Sequence, residues 1–159
     1  MQPVFAHLLL CFIALFAGSV GYAVCRVILL YKPLTQLALV VVAVFFGLNL
    51  IFAGILIFIY IPVFLLVACG AYFVSASRGM KRTRAEIVKC CVALLMGAAL
   101  SYGVKDLLLS IFSSHPQFSF ADFATELNLL AFFAPILVAF LVWLWQRATG
   151  TLPKVEKMG

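Results

Sequence analysis

The side chains able to do chemistry are few, and most of them stand apart. Within the apolar stretches the candidates are Asn49, Lys105 and Asp106. A polar group in hydrocarbon is costly unless it finds a partner or water, so each of the three is a functional hypothesis. Asn49 is expected to hydrogen-bond to a neighbouring helix or to line a pathway. Lys105 and Asp106 fall near one end of their helix, and adjacent helical positions diverge by about 100°, so the two are not expected to face each other. Lys105 is expected to snorkel towards the interface, the alternatives being a pair across a helix contact or a place at a pore mouth. His7 and His115 lie near interfaces, and two histidines are poor material for a bis-His haem or a His-rich metal site. Cys11, Cys25, Cys69, Cys90 and Cys91 form no CxxC, and four of them sit in or at the end of apolar runs, which reads as small apolar packing rather than zinc or redox chemistry.

No HExxH, GxSxG, Walker-type loop or Rossmann glycine pattern occurs, so no catalytic, cofactor-binding or metal-ligating residue is expected and the chain does not read as an enzyme. The densest charge is cationic: Arg78, Lys81, Arg82, Arg84 and Lys89. Near a membrane surface each such residue attracts anionic headgroups by about 1 kcal/mol. Anchoring and lipid contact, or docking of a cytoplasmic protein partner, are the two readings. Nucleic acid is not expected, because no aromatic residues interleave with the cations.

The elements that must carry these residues follow from composition. The 159 residues are 67% hydrophobic and 10% charged, with a mean hydropathy of +1.24. A globular domain is roughly half apolar and about a quarter charged, so lipid rather than a small core must take up this surface, and intrinsic disorder is excluded. The chain is expected to be an all-α polytopic membrane protein with spans at about 4–30, 34–59, 62–78, 87–112 and 120–147. The tail, 148–159, is expected to be cytoplasmic and to have no reason for order. The first run has no basic residue before it and reads as a retained span.

The second and third spans need argument. Residues 34–77 contain no Lys, Arg, His, Asp or Glu. One helix of that length would measure about 66 Å against a hydrocarbon core of about 30 Å. Two crossings joined by a turn at Tyr60, Ile61 and Pro62 are expected, with Asn49 or Gly54 as other turn positions. The alternative is four spans, with the chain after Pro62 lying along the interface, but Val63–Ser75 offers headgroups no polar face. A helix start is read at Ser119, with Asp122 completing a capping-box variant and Phe118 and Phe123 spaced as a hydrophobic staple. That helix should enter lipid by Leu127, bend at Pro135 and end in a Trp143, Trp145 and Arg147 belt. The excess of cations near Arg26 and Lys32, in the 78–89 loop and at the C-terminus sets these on the cytoplasmic side, in a membrane taken to be the bacterial inner membrane.

Small residues mark two helix-packing seams: Gly18 and Gly21, with Ala14 and Ala17, on the first span, and Ala93, Gly97 and Ser101 on the fourth. They are expected to pack within one subunit, or else to mediate homo-oligomerisation. GSVGYAVCR at 18–26 resembles the glycine-rich first helix of small fluoride channels. The chain lacks their Thr- and Ser-rich filter segment, and it also lacks the first-span carboxylate of small multidrug transporters, so no family's function is carried over. The expected function is that of a non-catalytic membrane subunit acting through protein–protein contacts, with itself or with a partner. Immunity, exclusion and defence proteins share this build by analogy of size. The alternative is a small oligomeric channel or transporter.

Overall fold

The computed structural model describes residues 3–53, 60–81, 83–114 and 124–154. Among them the chain is all-helical: α1 Pro3–Leu30, α2 Lys32–Ala53, α3 Tyr60–Ser77, α4 Arg84–Ser113 and α5 Ala124–Ala148. All five are long and apolar enough to cross a membrane. The chain is therefore a multi-pass helical protein of the membrane class.

α4 touches every other helix and α5 packs against α1, α3 and α4, whereas the backbone of α2 comes close only to α1 and α4 among the described residues. The consequence is visible in burial. Only 11% of the most apolar window of α2 is covered by protein, against 28–44% for the other four helices. Two apolar clusters lie along the bundle. Near the cationic loops, Cys25, Val74, Ala71, Cys90 and Leu94 pack together. Towards the opposite end, Leu10, Ile13 and Ala14 of α1 enclose Leu127 of α5. Leu127 is thus 1% exposed and faces α1 rather than lipid.

The helix ends explain where the span boundaries depart from expectation. α2 is described to Ala53 and α3 from Tyr60, so Tyr60, Ile61 and Pro62, expected to form the turn, are helical and open the described part of α3. Asn49 is inside α2. α4 begins at Arg84, ahead of the expected 87, because Thr83 caps it in extended conformation and its Oγ1 accepts from Glu86 N at 3.4 Å. The α1–α2 corner is fixed by Thr35, whose hydroxyl donates to Ile28 O at 2.7 Å and covers a carbonyl that the end of α1 leaves free.

The tail begins with a helix closure that the sequence reading did not include. Gly150 adopts φ +68°, Gly150 N donates to Arg147 O and Thr151 N donates to Gln146 O, a Schellman closure of α5. α3 ends the same way at Gly79, φ +66°, with Gly79 N donating to Ala76 O and Met80 N to Ser75 O. The two closures meet: a Cβ at Gly79 would stand 3.0 Å from Pro153. Gly54, Arg82, His115, Phe118, Ser119, Asp122 and Phe123, and with them the expected start of the last helix at 120, lie outside the described residues, as do residues 155–159.

Candidate functional site

The small-residue stripes converge at the centre of the bundle. Gly21 on α1 abuts the backbone of Gly97 on α4, and a Cβ at Gly21 would also stand 3.0 Å from Ser101 and from the ring of Pro135. Gly18 meets Ala134 of α5 just as closely, with no room for a Cβ. Ala93 is fully buried, and Ser101 is fixed by donating its hydroxyl to Ala131 O at 2.8 Å across the α4–α5 contact. Gly97 therefore faces α1 of its own chain, which agrees with the expected packing of this stripe within one subunit. Removing side chains lets the backbones approach closely enough for dispersion to hold helices together in lipid, where burial from water contributes nothing.

Lys105 departs from the snorkelling expectation. It is 3% exposed, and its ammonium donates to Asn128 Oδ1 on α5, pairs with Asp106 Oδ1 at 2.8 Å and lies 3.7 Å from the centre of the Tyr102 ring. Lys105 and Asp106 thus do meet, although their helical positions diverge, because the four-carbon lysine stem bends round to the neighbouring carboxylate. Asp106 keeps a 64% exposed side chain and Lys105 turns into the α4–α5 interface. Three partners answer the three donors of the ammonium, the condition under which a buried cation is tolerated. Asn128 is the residue that sequence reasoning missed. It follows Leu127, where the helix was expected to enter lipid, and it was not counted among the polar residues of the apolar stretches.

Asn49 does not reach another helix. Its Nδ2 donates to Phe45 O of its own helix at 2.8 Å, and the residue lines a cleft of about 350 Å³. Phe45, Phe46, Tyr60, Phe64, Leu95, Tyr102, Asn128 and Phe132 also line that cleft, so four helices contribute to it. An adjoining hollow of about 280 Å³ shares Phe45, Phe46, Leu95 and Phe132 and continues along Val41, Val42 and Met96.

The cationic residues do not form one uniform patch. Lys81 and Arg84 are exposed, while Lys89 is held in an ion pair with Glu86 at 2.9 Å. Arg78 is partly buried, with Nη1 shut off from solvent and without a hydrogen-bond partner among the described residues. Lys154 is exposed beside Pro153, and Arg147 lies 5.3 Å from the Trp143 ring. Cys25 and Cys90 are buried, Cys91 is half-buried, and Cys11 and Cys69 are exposed on their helices. His7 is an exposed residue of α1. Among the described residues no group of three or more His, Cys, Asp or Glu is placed to hold a metal ion.

No family model, curated protein or solved structure matches the chain.

Proposed function

We propose that this chain is a non-catalytic membrane subunit that works by contact with another protein, and that the contact is made at its cationic end. The observation that carries this reading is the junction of the two glycine closures, where Gly79 and Pro153 touch. It fixes the end of α3 to the end of α5, with Thr83 capping α4 next to it. Lys81, Arg84 and Lys154 are thereby exposed on a surface whose backbone is held in place. A preordered surface loses less conformational entropy on binding than a free tail would. The bias of cations towards this end supports a cytoplasmic orientation for it and for the C-terminus, in a membrane of the bacterial inner type. An immunity, exclusion or defence role would suit such a subunit.

The channel reading has less support. Among the described residues, Asn49, Lys105 and Asn128 all lie within about 12 Å of the helix ends opposite the cationic loop. Between them and that loop the helices close on one another at Gly21 and Gly97. A path through about 30 Å of hydrocarbon calls for polar groups along its length.

The test is a charge reversal, Lys81→Glu with Arg84→Glu, in the full chain in its native membrane. Site-specific crosslinking from the exposed Ala85 is expected to capture a defined protein for the parent and to lose it for the variant, with insertion unchanged. Undiminished capture by the variant, or crosslinks to lipid alone, would overturn the reading. Ion flux from vesicles holding the purified protein would favour conduction instead.

A further inference from the structure

We propose that the cleft beside α2 is a lipid site that seats one acyl chain of a glycerolipid, with the ester carbonyl of that chain accepting a hydrogen bond from the side-chain amide of Asn128. The fold makes the room. Among the described residues the backbone of α2 comes close to α1 and α4 but stands off from α3 and α5, and the gap is bridged by the Phe46 and Phe64 rings, 5.1 Å apart. The resulting cleft of about 350 Å³ runs on into the adjoining 280 Å³ hollow along shared walls. Each falls near the lower end of the range of about 300–1,000 Å³ typical of small-ligand sites. Together they make a long slot rather than a round pocket. The far half is lined by Val41, Val42, Met96 and Ala99 with no polar side chain, which suits a hydrocarbon chain.

Polar groups are confined to the other half, and their orientation is dictated by chemistry. Lysine can only donate, so Asn128 must turn Oδ1 to Lys105. This leaves its NH₂ as the group available to the slot. Asp106 already balances the charge of Lys105 at 2.8 Å, so a neutral acceptor fits beside Asn128 better than a second carboxylate. Depth agrees as well. Asp106, which pairs with the ammonium that Asn128 also binds, keeps its side chain 64% exposed, so this polar cluster belongs at the edge of the apolar zone rather than at its middle. That is the level at which the polar part of a lipid gives way to its chains. The ester group would enter at Asn128 while the chain followed the slot towards Met96.

The experiment uses the full chain in phosphatidylcholine vesicles containing a small fraction of phosphatidylcholine with a photoreactive diazirine in one acyl chain. Label mapped by mass spectrometry is expected on Phe46, Leu95, Met96 and Phe132, all half-buried. Its enrichment over the exposed faces at Leu37, Val44 and Leu107 should be about tenfold, the equivalent of about 1.4 kcal/mol of preference. Equal labelling of slot and outer faces would mean ordinary surrounding lipid and would overturn the proposal. Ala99→Trp is expected to fill the slot and abolish the enrichment, while Val44→Trp on the outer face leaves it intact; enrichment that survives Ala99→Trp in a folded protein would also overturn it. If Ala99→Trp does not fold, labelling of the parent protein alone decides. Labelling of the slot by a free diazirine fatty acid, but not by the phospholipid, would overturn the ester assignment.

Discussion

Lys105 of α4 and Asn128 of α5 are joined by a hydrogen bond across the α4–α5 contact, where the lysine is buried and the asparagine lines the cleft. One interaction thus both fixes the register of two helices and orients a polar group towards a space where a ligand can sit. Hydrogen bonds between membrane helices contribute about 0.6 kcal/mol on average and about 1.7 at most. The asymmetry between forming and breaking this one is larger, because removal of Asn128 deprives a buried cation of a partner.

Asn128→Leu is therefore expected to destabilise the protein by about 1–3 kcal/mol. Lys105→Met, which removes the charge together with the need for a partner, is expected to cost less. The double variant should recover most of the loss, since no buried cation remains. Denaturant titration in mixed micelles of the four proteins gives the coupling directly. Additive effects of the two substitutions would show that the hydrogen bond contributes nothing to stability.

The central seam predicts a contrast among glycines. A side chain at Gly21 or Gly97 would meet backbone that cannot move aside, whereas a Cβ at Gly47 or Gly103 meets nothing within 4 Å. Gly97→Leu should cost at least the 1–3 kcal/mol typical of overpacking, while Gly103→Leu should be neutral or mildly stabilising through better helix propensity. Thermal inactivation in detergent reads this difference. The detergent-solubilised mass should be the same for both variants, because the seam is internal; a shift to a smaller species with Gly97→Leu would restore an oligomeric role to that face.

Much of this architecture was legible in the sequence, for reasons that differ by element. The number of crossings followed from the length of 34–77 set against the thickness of a bilayer, a constraint that no packing detail could alter. The seam residues Gly18, Gly21 and Gly97 were readable as small faces, but which helices they would join was not, because an i,i+4 spacing says nothing about the partner. The Thr83–Glu86 cap stood in the sequence as T-x-x-E, and the run of cations around it concealed it by suggesting a loop. The pairing of Lys105 depended on the side chain at position 128, twenty-three residues away, and on the bend of a flexible stem towards Asp106. Neither is a local property. The closure at Gly150 was open to inference from a glycine after Arg147 in the last turn, but its contact with Gly79 is tertiary.

Thr83→Ala should remove the hydroxyl that accepts from Glu86 N and cost about 0.5–2 kcal/mol. Thr83→Asp should preserve the cap and interact favourably with the helix N-terminus. Lys89→Ala, which breaks only a partly exposed ion pair with Glu86, should change stability by no more than about 1 kcal/mol. Hydrogen exchange of the amides at 84–87 distinguishes the two effects. Faster exchange confined to Thr83→Ala is the expected result, and equal exchange in Thr83→Ala and the parent would show that the cap is not formed in the membrane.

The junction at Gly79 and Pro153 yields the most discriminating prediction, because conformation and contact can be separated there. Both Gly79 and Gly150 occupy the left-handed region, where a residue with a Cβ is disfavoured by about 1–2 kcal/mol. Only Gly79 also abuts Pro153; Gly150 has open space where its Cβ would be. Gly150→Ala should therefore incur the conformational cost alone, and Gly79→Ala should incur that cost and also push the tail away from the end of α3. Asn at Gly79 would relieve the conformational part but not the contact. A proteolysis assay at Lys154, run on the protein in detergent micelles, reports the position of the tail. Cleavage should accelerate for Gly79→Ala and Gly79→Asn, and remain near the parent rate for Gly150→Ala as long as α5 keeps its end. If Gly79→Asn were cleaved no faster than the parent, the contact with Pro153 would not be what orders the cationic surface, and the proposed protein contact there would lose its structural basis.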